Sequence, residues 1–119
     1  MKSRDLEDRL INFAVQVLNL SESLPNTKAG NHIAGQLVRS GTSPAPNYGE
    51  AQSAESRRDF VHKMKICLKE LRETMIWIRI IERKPMCEAD RLAEIIKECD
   101  ELIAIFVSSV KTAEQKEKQ

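Results

Sequence analysis

Apolar residues recur along this chain at alternating steps of four and three in three separate stretches. Leu6, Leu10, Phe13, Val17, Leu20 and Leu24 form the first. Phe60, Met64, Cys67, Leu71, Thr74, Ile78 and Ile81 form the second, with threonine as its one polar member. Leu92, Ile96, Cys99, Ile103, Phe106 and Val110 form the third. Such spacing lines each set along one face of a helix, and that face needs cover from water. A first helix is expected over about 4–23, with Ser3 as N-cap and Asp5, Glu7 and Asp8 at the positive end of its dipole. Ile11, Ala14 and Leu18 are read as a widening of its apolar face.

Pro25 and Asn26 end that helix, and Asn26 or Thr27 caps a second one carrying Ile33, Ala34, Leu37 and Val38. The chain then meets Ser40-Gly41-Thr42-Ser43-Pro44-Ala45-Pro46. Pro44 lacks an amide donor and disfavours helical geometry at Ser43, so a break or kink is expected near 40–43. A short restart to about 53 follows, with Ser43 as cap and Pro44 as first helical residue. A third long helix begins at the capping-box-like Ser56-Arg57-Arg58-Asp59 and ends before Pro85. At about 28 residues it should be ~42 Å long. A fourth spans about 88–111, and residues 112–119 read as a frayed polar tail. No strand-like alternation and no internal repeat interrupts this pattern. The fold expected is all-α: an antiparallel up-down-up-down four-helix bundle over 1–111, its second helix broken near 40–43.

The 119 residues suffice for one domain with its own core. No apolar run approaches the ~20 residues of a membrane span. Nothing behind Met1-Lys2-Ser3-Arg4-Asp5 resembles the core of a signal peptide, so a cytoplasmic protein is expected. Cys67, Cys87 and Cys99 are odd in number and are read as reduced; the first and last lie on apolar stripes, where a thiol packs as a small hydrophobe. The net charge of +1 hides an asymmetry. Residues 56–84 carry nine basic and four acidic side chains, whereas 85–110 carry two basic and six acidic. That contrast suits paired neighbours, or a contact between copies.

Chemistry is harder to find. A di-iron bundle site wants two Glu-x-x-His segments, and Asp59-Phe60-Val61-His62 is one loose approach with no second. The cysteines are too far apart for a zinc knuckle, and no nucleophile elbow or phosphate-binding glycine loop occurs. No catalytic residue, metal, cofactor or small-molecule substrate is therefore expected. Asn47 and Glu50 project one way from the short helix, and Glu70, Glu73 and Trp77 share a face of the next. These five have two readings, a ligand pocket or a polar network at a helix or subunit interface, and one Trp and one Tyr are few aromatics for a pocket; Lys69 is placed to pair with Glu73. Arg57, Arg58, Lys65, Lys69, Arg72 and Arg79 have two readings: a solvated face paired with the fourth helix, or a track for phosphates.

The segment 37–81 carries Arg39-Ser40-Gly41-Thr42-Ser43, Asn47, Glu50-Ala51, Asp59-Phe60, His62-Lys63, Lys69-Glu70, Arg72-Glu73-Thr74 and Trp77. In this combination it closely resembles the bacterial four-helix-bundle family named for reading frames in intervening sequences of 23S ribosomal RNA genes. The resemblance implies short bundles that assemble into rings, typically homopentamers, with no catalytic residues to carry over. Proteins of similar shape serve reverse transcriptases as nucleic-acid-binding accessories, a link by shape alone. Pro44 and Pro46 depart from the small or aliphatic residues of many members. The partner expected is thus a second copy of the chain, in a scaffold or interaction role; the alternative is RNA or DNA held through the basic third helix.

Overall fold

The computed structural model describes residues 3–117 as five helical segments: α1 (Ser3–Glu22), α2 (Lys28–Thr42), α3 (Pro44–Gln52), α4 (Arg57–Arg83) and α5 (Ala89–Glu117). Among the described residues there is no strand. Two of the expected caps form as read. Thr27 Oγ1 accepts from the Gly30 amide at 3.0 Å, and Ser56 Oγ accepts from the Asp59 amide at 3.1 Å. The turn before α2 is so tight that a Cβ on Gly30 would fall 1.9 Å from the Pro25 carbonyl oxygen. α1 starts at Ser3 itself, which places that residue inside the helix rather than ahead of it.

The elements assemble as a rod of 50 × 22 × 21 Å. α1 packs on α2, α3 and α5, and α4 packs on the same three. Among the described residues α1 and α4 have no close backbone approach, so they occupy opposite corners. Cross-helix partners run in opposing order. Arg39 meets Glu70, Pro44 meets Cys67 and Glu50 meets Lys63. Likewise Leu71 meets Cys99, and Lys65 meets Glu114. Leu10, Phe13, Val17, Leu37, Met64, Leu71, Ile78, Cys99, Leu102 and Phe106 form the centre of one continuous core. Tyr48 and Phe106 meet edge to face within it, centroids 5.9 Å apart.

Several expectations are corrected. The interruption expected near 40–43 narrows to Ser43, where α2 ends and α3 begins. Residues 40–42 stay helical, and Ser43 keeps helical dihedrals (φ −69°, ψ −38°). What Pro44 and Pro46 remove is two amide donors, leaving a seam in the hydrogen-bond ladder. Ser43 makes no side-chain cap; instead Asn47 Nδ2 donates back to the Ser43 carbonyl at 3.0 Å and to its Oγ at 2.9 Å. The last stripe is shifted: Ile95 and Leu102 are buried, while Ile96 and Ile103 only flank the core. The last helix continues past 111, because Ala113 is buried and Glu114 pairs with Lys65 at 2.9 Å. Lys118 and Gln119, the end of the expected tail, lie outside the described residues. Finally, Ile11 and Leu18 do not widen the core face of α1 but stand 47% and 39% exposed. A corner helix packs on the bundle only through its inward side, and its outward side has nothing within the chain to pack on.

The seam between α1 and α5 is polar. Along its outer edge Asn12, Gln16 and Asn19 face Glu94, Glu98 and Glu101, with Arg91 and Lys97 beside them and Leu20 and Ile95 beneath. Arg9 bridges it, its Nε donating to Glu98 Oε2 at 3.1 Å, and the Glu98 hydrogen bond holds the guanidinium more firmly charged than usual.

Candidate interface site

Three consecutive residues at the end of α2 engage two neighbouring helices. Arg39 reaches α4, where its guanidinium donates to Glu70 Oε2 at 3.2 Å and also to Glu73. The Ser40 and Thr74 hydroxyl oxygens lie 2.9 Å apart in full burial, and Thr74 Oγ1 is 2.8 Å from the Glu70 carbonyl oxygen. Each hydroxyl has one proton, so Thr74 satisfies both contacts by donating to the carbonyl and accepting from Ser40. Gly41 presses against Val17 of α1, where any side chain would collide.

Around Arg39 a polar cluster closes. Gln36 Oε1 accepts from the guanidinium at 3.1 Å, and Trp77 Nε1 donates to Glu73 Oε2 at 3.0 Å. His32 stands edge-on to Trp77, ring centroids 6.0 Å apart. Glu70, Glu73 and Trp77 therefore come together. Asn47 and Glu50 belong elsewhere: Asn47 bonds back to Ser43, and Glu50 takes Lys63 Nζ at 3.5 Å. Lys69 does not pair with Glu73, whose carboxylate Arg39 already holds. Sequence reasoning missed Arg39 and His32 as members. One signal was available, since Arg39 is the sole formally charged residue between Lys28 and Glu50.

Of the eight basic residues of α4, the six read as a track for phosphates divide by partner. Lys65 is tied to Glu114 of α5, and Arg79 Nη1 bonds Glu82 Oε1 at 3.1 Å on its own helix. Arg57, Arg58, Lys69 and Arg72 are exposed, with no ion pair among the described residues. Arg57 also borders a cavity of 320 Å³ at the turn into α4, with Ser56 and Phe60.

Large apolar side chains stand in water on the two diagonal helices. On α1 these are Ile11, Val15 at 50% exposure, and Leu18; on α4 they are Ile76 at 60%, and Ile80. Nothing among the described residues gathers three His, Cys, Asp or Glu side chains in one place. Burial pushes the Cys67 and Cys99 thiols up to about 12, so both are protonated at neutral pH and poor nucleophiles. They serve instead as donors, Cys67 to the Pro44 carbonyl at 3.6 Å and Cys99 to that of Leu71 at 3.5 Å. No described helix is long and apolar enough to cross a membrane.

Residues 5–108 match the family described as 23S rRNA-intervening sequence protein. A crystal structure from Bacteroides thetaiotaomicron, described as a protein of unknown function from the S23 ribosomal protein family, superposes with a TM-score of 0.85. It is 33% identical, and the alignment covers 93% of this chain and 99% of that one. No curated protein matches.

Proposed function

The chain belongs to the 23S rRNA-intervening sequence protein family, and on that footing we propose that it is a non-enzymatic, cytoplasmic interaction module that assembles with copies of itself into a closed ring, with five subunits. The observation that carries this is the exposed apolar surface on two diagonal helices, Ile11, Val15 and Leu18 on one and Ile76 and Ile80 on the other. Clustered apolar side chains at helical spacing on a small domain mark a contact surface more often than a solvated one. The opposing order of cross-helix partners supports an up-down-up-down bundle as the subunit. Size-exclusion chromatography with light scattering tests the proposal. It expects a discrete mass five times the 13.6 kDa of one chain; a monomer at micromolar concentration refutes it.

A second reading, an RNA- or DNA-associated accessory protein, is favoured by Arg57, Arg58, Lys69 and Arg72, which are exposed and have no carboxylate partner among the described residues. A ring would repeat the part of this patch that its subunit contacts leave exposed, and weak phosphate contacts would add through multivalency. Retardation of structured RNA at low salt, lost steeply as salt rises, is its expected signature. No retardation at low salt eliminates it.

A further inference from the structure

We infer that assembly proceeds head to tail, the outer face of α1 in one copy seating on the outer face of α4 in the next. This deepens the proposed self-assembly by naming the two surfaces and their pairing. On α1 the residues opposite the core stripe are Asp8, Ile11, Val15, Leu18 and Glu22, all exposed: an apolar centre with an acid at each end. On α4 the corresponding line is Lys69, Arg72, Ile76, Ile80 and Arg83: an apolar centre with bases at each end, all exposed. Asp8 to Glu22 and Lys69 to Arg83 are the same distance along the chain, so both strips are ~21 Å long.

The charges decide which faces meet. Two α1 strips brought together antiparallel would set Asp8 against Glu22 of the other copy, acid on acid. Two α4 strips would set base on base. Like charges facing each other at a contact repel and disfavour both of these pairings. An α1 strip on an α4 strip instead covers Ile11, Val15 and Leu18 with Ile76 and Ile80 and meets acid with base at both ends. Because the strips occupy opposite corners of one bundle, each copy keeps one face of each kind. The contact is heterologous and propagates from copy to copy until it closes.

Val15→Asp and Ile76→Asp test this in the full-length chain. Both positions face water in the single bundle, so helical content by circular dichroism should stay unchanged. Each variant alone should be monomeric at concentrations where the parent chain assembles. Mixed in equal amounts they should form a one-to-one dimer and nothing larger, since each retains the face the other has lost. If either variant assembles like the parent, or the mixture stays monomeric while the parent assembles, the pairing is wrong though self-assembly stands. A monomeric parent chain would defeat self-assembly itself, and this pairing with it.

Discussion

Gly41 backs so closely onto Val17 that a Cβ placed on it would sit 2.5 Å from Val17 Cγ1 and 2.6 Å from Cγ2. Val17 is fully buried and β-branched, so it has no spare rotamer to retreat into. Alanine at 41 would gain about 1 kcal/mol of helix propensity and lose about 1–3 to overpacking. Gly41→Ala should therefore destabilise by about 1 kcal/mol, and adding Val17→Ala should relieve the clash so that the two changes are not additive. Urea unfolding of the four species closes the cycle; an alanine variant more stable than the parent would contradict the close approach.

Leu71 and Ile78 are wholly buried at the middle of α4. Truncating either to alanine should cost ~2–5 kcal/mol, a large share of a typical ~5–15 kcal/mol stability. Denaturant midpoints that shift by less than ~1 kcal/mol at both sites would mean the stripe is not the core.

The Glu70 side chain is 11% exposed and depends on Arg39 for its one cation. Arg39→Ala should cost about 1–2 kcal/mol, between the values for exposed and buried pairs, because Arg39 itself is half in water. Adding Glu70→Gln should recover part of that loss by removing the stranded charge. Arg39→Lys should fall between, as an ammonium cannot fork across two carboxylates. Thermal melts rank the series.

Alkali should weaken the fold in a defined window. Burial raises the Cys67 and Cys99 thiols to about 12, whereas unfolded thiols ionise near pH 8.5. Between those values the folded chain holds more protons than the unfolded one, so stability is intact below about pH 8.5 and falls as pH rises toward 12. Melting temperature followed from pH 7 to 11 should decline beyond about 8.5. A thiol-modifying reagent at pH 8 should label Cys87 promptly and the other two only after denaturation, because they are buried.

The apolar stripes of α1 and α4 were legible because one phase ran the length of each helix, whereas Ile11, Val15 and Leu18, or Ile76 and Ile80, repeat only briefly. In α5 two phases competed: Ile95 and Ile96 are adjacent, as are Leu102 and Ile103, and periodicity alone cannot choose between such pairs. Thr27 and Ser56 were readable as caps because their oxygens act locally. Arg39 was not readable as a bridge, since its carboxylates lie 31 and 34 residues away and sequence spacing says nothing of that distance. The outward isoleucines of α4 were hidden by their company; Met75, Ile76, Ile78, Ile80 and Ile81 look alike until burial separates them. The helical end of α5 was missed because Ala113 is too small to announce an apolar position.

The polar seam between α1 and α5 sets the order in which the molecule comes apart. Side-chain amides and carboxylates there release readily to solvent, whereas the flank that α4 turns to α5 is buried, the Cys99 thiol donating to the Leu71 carbonyl. α1 is thus the rod held least firmly along one whole flank, and it should lift away before the rest loses order. Amide hydrogen exchange would record this as early deuterium uptake across α1, with the middle of α4 exchanging last.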